Sequence, residues 1–527
     1  MKNQTSFALL VAIVGALSLV IVFCGPPPIS IDAADHAAFL DAAWRILNGQ
    51  IPHNDFFCPI GAFPCFWWAL GMRLFGGTIR ALTLSNVMLL PPLSFLAWFV
   101  ARSRVGNLGA LFFSVLTGFT VVSQASISAS ILSLSSYAML YNRYAYGLLL
   151  LVLMITLISP RGGHTAPSHA LLAGIAAGLL LFCKFNFFGV ATGGIVLGIF
   201  LYPPSKKSVV FLLIGFTAVL VVFFELLSIS PKAFLHDFQT LASIGRVSPV
   251  IPSHLYRLSY FTKSFFCLAS SALVLFVFFI RYSKAGFPCV VIPLIATGYV
   301  LASSIALTLT NSQHNDPILA AFCAMILIEA AVRVVPFCSH ERVGRFFTGG
   351  IVLILSPILF TALVKDITSF VFPFVASHMK YEKRPFNIDR LNDFSVIGLV
   401  NTSSVNSQLS YVSSINDGLQ LLHPHLNGST RLHALDYTNL FNVALHLPPP
   451  HAGMLCWDYG FSFFSNNFES PDAVLADVNL VIVPKAASNN VARLKQLYLP
   501  AVLKDFTQVD ESAHWILYGK RNPVDKE

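Results

Sequence analysis

Negative charge is what this chain lacks. Only ten carboxylates occur before Met379: Asp32, Asp35, Asp41, Asp55, Glu225, Asp237, Asp316, Glu329, Glu341 and Asp366. Charged residues of both signs make up 11% of the 527 residues, against 55% hydrophobic. A soluble domain carries about 25% charged residues, so apolar surface on this scale needs lipid as its solvent. The nine cysteines form no CxxC pair and no His/Cys cluster, which leaves no zinc-type site. Most of them lie in apolar runs (Cys24, Cys183, Cys267, Cys289, Cys323), where a thiol serves as a small core group. Cys58 and Cys65 share one loop and would either pair in an oxidising compartment or stay two buried thiols. A nucleophile elbow, a P-loop, an HExxH pair and a dinucleotide fingerprint are also missing, as are internal repeats and low-complexity tracts. A signal-peptide cleavage site is lacking too: Cys24-Gly25-Pro26-Pro27-Pro28 follows the apolar run Phe7–Phe23, which reads as an uncleaved first helix.

Long hydrophobic runs are what is there. A membrane span needs about 20 largely apolar residues, and candidates fall at 7–24, 82–100, 106–124, 143–159, 168–183, 187–202, 208–229, 264–281, 285–308, 317–335 and 349–372. The stretch Cys58–Leu74 is apolar but broken by Pro64 and Gly71, so it is expected to lie in the interface or re-enter. The net charge of +9 is dispersed between the apolar runs, which points to lipid phosphates and cytoplasmic loops and away from nucleic acid. With the N-terminus inside, every inner loop carries Lys or Arg, and the C-terminal region falls outside. From Lys380 onward the chain holds 12 Lys+Arg and 14 Asp+Glu, and short β-type runs such as Val478–Val483 and Trp515–Tyr518 appear between turn clusters. The expected fold class is an all-α polytopic membrane protein of about eleven helices, with a small α/β extracytoplasmic C-terminal domain. The expected division is a membrane domain over 1–376, with a first outer loop at 25–81, and a soluble domain over 377–527.

Six of the ten carboxylates fall where the chain leaves the outer face, and four crowd into the first outer loop. A carboxylate near hydrocarbon is costly and usually kept for chemistry, ion passage or pairing. Ala33–Leu47 has the pattern of an amphipathic helix lying on the membrane surface. Asp32 is placed to cap it, and Asp41 to pair with Arg45 four residues on. Asp35 and Asp55 have no such local explanation, which makes them functional candidates.

This loop resembles that of the GT-C-type membrane glycosyltransferases, a superfamily that includes protein O-mannosyltransferases and the lipid A aminoarabinose transferase. The resemblance rests on an acidic residue soon after the first span (Asp35-His36) and on an A-x-x-I-L-x-G-x-x-P-x-x-D-F pattern. Here that pattern is Ala43, Ile46, Leu47, Gly49, Pro52, Asp55 and Phe56, followed by Pro59, Gly61 and Leu74-Phe75-Gly76. The first acidic site is Asp-His where many relatives have two acids. The resemblance implies transfer of a sugar from a polyprenyl-phosphate carrier, at the outer face of the inner (plasma) membrane, to a glycan, lipid or protein acceptor. It implies a loop carboxylate as general base, Asp35 first and Asp55 second.

A lipid-phosphate leaving group needs cations near the outer boundary. Lys184 lies between two short spans, and a Lys at this place recurs in the family; the alternative is snorkelling to the interface. Arg143 sits among aromatics at a span end, where it would serve the phosphate or anchor an aromatic belt. Arg246 and Arg257 belong to the outer segment Ser230–Lys263, expected to be a flexible loop over the site. His36, Gln313, His314 and Asp316 are candidates for acceptor or sugar binding, the last three also reading as a helix-end turn before Pro317. Two carboxylates with His36 make a thin ligand set for Mg²⁺ or Mn²⁺, so no cofactor is expected. In the tail, Asp436-Tyr437-Thr438-Asn439 and Cys456-Trp457-Asp458-Tyr459-Gly460 suit sugar contact but also ordinary loop packing, the favoured reading. The rival function is a transporter or flippase. It calls for charges within the spans and often paired repeats, whereas these carboxylates sit at a boundary. A third reading, a non-catalytic scaffold with a sensing domain, would not need Asp35, Asp55 and Lys184 together.

Overall fold

The computed structural model describes residues 3–26, 28–29, 32–77, 79–123, 125–126, 135–136, 139–247, 262–282, 288–309, 318–338, 341–377, 383–397, 403–486 and 488–521. Apolar helices dominate it. They are α1 (Asn3–Cys24), α4 (Ile79–Val122), α5 (Leu140–Leu157), α6 (Pro167–Leu181), α7 (Phe185–Leu201), α8 (Lys206–Val221), and the helices Thr262–Tyr282, Pro288–Leu309, Ile318–Val334 and Glu341–Ser377. Among the described residues, seven helices are long and apolar enough to cross a membrane, and Pro167–Leu181, Phe185–Leu201 and Phe265–Arg281 are shorter apolar ones. The 44 residues of α4 bend at Gly106, whose φ of 71° interrupts the helical backbone and splits it into two of the expected spans. All eleven expected segments thus have a helical counterpart.

Two shorter helices follow α1: α2 (Ala33–Leu47) and α3 (Ala62–Phe75). At about 1.5 Å per residue, α3 reaches only ~21 Å and cannot span, in keeping with its expected interfacial or re-entrant character. Helix α2 has the expected bounds but not the expected setting. Ala33, His36–Ala43 and Arg45 are buried, so it does not lie on a membrane surface with one polar face in water. The tail of the chain covers it. Trp44 Nε1 donates to the carbonyl of Leu447 (2.8 Å), Arg45 reaches that of Pro450 (3.1 Å), and Gln50 Nε2 reaches Pro449 (3.1 Å) and Pro450 (3.0 Å). Prolines cannot donate, and here they bind through their carbonyls. The expected flexible loop after Ser230 is also corrected in part. Its first half is an amphipathic helix, α9 (Pro231–Val247).

Beyond Ser377 the chain builds a four-stranded sheet. Its spatial order is Leu432–Ala434, Leu480–Pro484, Trp515–Lys520, Phe506–Glu511, with the first pair parallel and the others antiparallel. The helices Ser403–Leu422 and Asn489–Asp505 accompany it, which gives the small α/β region expected from the β-type runs. The strand Leu480–Pro484 is almost fully buried, with Val481, Ile482 and Val483 in two adjoining cores.

Helix α5 fixes the two ends of the bundle. Its start, at Tyr141, faces the α2 side, and its far end leads to a basic cluster. There Glu329 accepts from Arg161 (2.9 Å) and Arg333 (2.8 Å), while Arg104 Nε bonds the carbonyl of Ile158 (3.0 Å). A buried carboxylate is stable there because two guanidinium groups satisfy it.

Candidate active site

The site is assembled around the first turn of α2. Asp32 precedes the helix in the left-handed region (φ 55°, ψ 42°), and its side chain makes no cap. This corrects the capping expectation. Only its backbone carbonyl serves the helix, accepting from Asp35 N–H (3.1 Å) and His36 Nδ1 (3.0 Å). A non-glycine residue in this region costs about 1–2 kcal/mol, a kind of strain that clusters at functional sites. Burial, and then the charge of Asp35, push the Asp32 carboxyl up to about 7. Burial also raises Asp35, although a 2.7 Å hydrogen bond from the Tyr437 hydroxyl to its Oδ1 pulls the other way. His36 is buried and drawn down to about 4, so it is neutral. Asp41 makes the expected pair with Arg45 at 2.9 Å, though inside the protein rather than at its surface.

The tail motifs converge on the same place. Burial raises Asp436, and burial followed by the charge of Asp35 pushes Asp458 up to about 6. Both motifs favoured above as loop packing therefore contribute to the surroundings of Asp35, Tyr437 by direct contact. Several carboxylates and a phenol in one half-buried patch hold each other's protons in place.

Lys184 stands at the N-terminus of α7, its Nζ 2.8 Å from Asn142 Oδ1 and 5.0 Å from the centre of the Tyr141 ring. Burial draws it down to about 7. The edge of Tyr141 also meets Phe39 of α2 (6.3 Å), and Tyr141 lies within electrostatic range of Asp35. Lys184 thus lies over the Tyr141 ring and Asp35 within electrostatic range of the same side chain, at one end of the bundle. Gly61 makes this possible. Its φ of 80° is in the left-handed range, and a Cβ there would lie 2.7 Å from the Cys183 carbonyl oxygen. Phe63 N–H bonds the Phe182 carbonyl at 2.8 Å, fastening the first loop to the turn that carries Lys184. Cys58 and Cys65 lie in this loop as free thiols, with sulfurs 3.5 Å apart.

Asp55 is placed elsewhere. Its Oδ2 accepts the Ile51 N–H at 2.7 Å, closing a turn, and it lines a cavity that does not include Asp35. Arg143 is buried and committed to Asp366 Oδ1 (2.6 Å), Thr120 O (2.7 Å) and Ser123 Oγ (2.6 Å), an ion pair that local spacing could not reveal. Arg246 lies in α9, while Arg257, Gln313, His314 and Asp316 lie outside the described residues. Among the described residues, no group of three His, Cys, Asp or Glu side chains is arranged to hold a metal ion.

No family model matches the chain, and no curated protein matches it. Solved structures do. The chain is similar to ArnT from Cupriavidus metallidurans bound to undecaprenyl phosphate, at 12% identity over 99% of each chain, with a TM-score of 0.50. It is also similar to the apo state of that protein (13% identity, 98% of each chain, TM-score 0.45). A third match is the Archaeoglobus fulgidus oligosaccharyltransferase in complex with Zn and sulfate, at 11% identity over 96% of this chain and 72% of the other, TM-score 0.37. At such identities the first likeness speaks for architecture alone, and on that ground the chain is a multi-pass membrane protein with a GT-C-like fold.

Proposed function

We propose that the protein is a membrane glycosyltransferase that moves a sugar from a polyprenyl-phosphate carrier to a hydroxyl acceptor, with Asp35 as general base. One observation carries the reading. A carboxylate raised by burial lies within electrostatic range of Tyr141, and a lysine drawn down to about 7 lies over its ring, at the end of the bundle where the tail covers α2. A base near its ordinary carboxylate range would be too weak, and burial makes Asp35 a better proton acceptor. In the reaction the acceptor oxygen attacks the anomeric carbon while Asp35 takes its proton. The bond from that carbon to the phosphate oxygen breaks, and the polyprenyl phosphate leaves with the electron pair. Lys184, protonated, meets the charge that grows on the phosphate. Tyr437 orients Asp35 and favours its ionised form. The undecaprenyl phosphate of the ArnT structure supports the choice of carrier class.

The reading places the site on the outer face of the inner (plasma) membrane, with the N-terminus cytoplasmic and residues 377–527 periplasmic or extracellular. The acceptor is a glycan, a lipid or a protein. Arg143 is left out of phosphate binding because Asp366 already holds it.

The test is transfer of labelled sugar from polyprenyl-phosphate donors by the wild type, Asp35→Asn and Asp55→Asn in membranes. Loss in Asp35→Asn, with normal protein level and retained carrier binding, is the expected result. Activity surviving in Asp35→Asn removes it as the base. A wild type inactive with every sugar offered would favour the transporter instead.

A further inference from the structure

The cavity that holds Asp55 has a volume of about 450 Å³ and lies where the first loop, α9 and the tail meet. Its lining includes His53, Asp55, His236, Asp237, Phe468 and Glu469. His53 is the unusual member. Its backbone is left-handed at φ 70°, and its side chain is buried. Nδ1 lies 2.8 Å from Asp237 Oδ2, which also accepts the Cys58 N–H at 3.1 Å. The ring packs edge-on against Phe234 (5.2 Å). The other nitrogen, Nε2, is buried and has no hydrogen-bond partner.

An unpartnered buried polar atom is costly, and the strained backbone adds to the cost. Such a combination persists where a ligand completes the missing bond. In the neutral tautomer that carries its proton on Nδ1, facing the Asp237 carboxylate, Nε2 presents a lone pair. Its natural partner is a hydroxyl proton. Asp55 and Glu469 add further acceptors, and Phe468 offers an apolar ring for C–H faces. The described residues that line it include three carboxylates and no lysine or arginine, so an anion is disfavoured. Phosphate recognition would require the opposite charge.

We propose that this cavity is a carbohydrate subsite that binds a neutral, hydroxyl-rich pyranose unit through His53 Nε2. The inference deepens the transferase reading, on which it rests for regarding the bound sugar as part of the acceptor. Its volume falls within the range of small-molecule sites. Its position between the first loop, α9 and the tail suits a water-borne glycan rather than a lipid tail.

The experiment uses the full chain in lipid nanodiscs and saturation-transfer NMR with maltotriose, mannotriose and chitotriose, with inorganic phosphate as the anionic comparison. At least one trisaccharide should bind the wild type. His53→Phe should weaken it by about tenfold through loss of the hydroxyl bond. Glu469→Gln serves as the second variant should His53→Phe fail to fold, and should weaken binding in the same direction. No binding of any trisaccharide, equal binding by folded variants, or tighter binding of phosphate than of sugar would each overturn the proposal. Hydrolysis of the donor onto water, measured in parallel, reads the Asp35 site separately. If it is missing in wild type while sugar still binds, the transferase reading fails and the carbohydrate subsite stands.

Discussion

Replacing Tyr437 with Phe removes one oxygen and little else. The hydroxyl donates to Asp35 Oδ1 at 2.7 Å, and this bond opposes the burial that raises the Asp35 carboxyl. A hydrogen bond to a charged group is worth about 1.5–3 kcal/mol, and one pKa unit corresponds to about 1.4 kcal/mol. Loss of the bond should therefore raise Asp35 by ~1–2 units, the lower figure applying if water replaces the hydroxyl. A general base works only when ionised. The acid limb of the transfer rate should then move to higher pH by the same amount. Below the limb the variant should be slower by about tenfold per unit of displacement. Above it, both proteins should turn over at similar rates, since the ionised base is no weaker. The assay is the pH profile of labelled-sugar transfer at saturating donor, with wild type and Tyr437→Phe in the same membranes. A limb that stays in place or moves to lower pH refutes the assignment. So does a rate that falls equally at every pH, because a merely structural tyrosine would do that.

Asp32→Asn separates charge from strain, since Asn tolerates the left-handed backbone. Asp32 is raised in the fold to about 7 from an ordinary 3.8, so the native state binds its proton more tightly. Stability from this group is complete below the ordinary value and is lost as pH climbs to about 7. The variant should match wild type near pH 4 and melt later near pH 8, with a ceiling of about 4 kcal/mol; thermal unfolding at both pH values checks it. Lys184→Met should weaken binding of undecaprenyl phosphate and abolish its pH dependence. In wild type that affinity should fall as pH rises through about 7, where the amine loses its proton; titration into nanodiscs at acidic and alkaline pH decides. Arg143→Met alone should cost about 3–5 kcal/mol by removing the cation from the buried Asp366. The double change Arg143→Met with Asp366→Leu should restore most of that and keep transfer. A folded but inactive double variant would return Arg143 to the phosphate site.

The spans and α2 were legible because their signals are local. A run of apolar residues declares a helix in lipid, and the alanine-rich stretch from Ala33 to Leu47 declares its own bounds. What covers α2 is written some four hundred residues away. Pro448-Pro449-Pro450 reads as punctuation between strands, yet its carbonyls receive Arg45 and Gln50. A partial signal existed: three prolines in a row have no N–H to pair with their own surroundings, so their carbonyls are left for outside donors. No comparable signal announced that Arg143 would meet Asp366, since both sit in apolar runs at distant positions.

Asp35 and Asp41 show how much of the site the sequence could sort. They lie on one helix, and burial raises both. Asp41 has Arg45 one turn on, and that guanidinium, at 2.9 Å, opposes the rise that burial imposes on its carboxyl. Asp35 has no base at that spacing, and its direct partner is a neutral phenol from the tail. A carboxylate held by a cation has little reason to accept a proton. One held by a hydroxyl, beside a second carboxyl at Asp32, keeps the capacity to do so. The missing arginine was readable at once from the spacing. The phenol that takes its place, and makes Asp35 tunable rather than merely buried, comes into view only when the chain is folded.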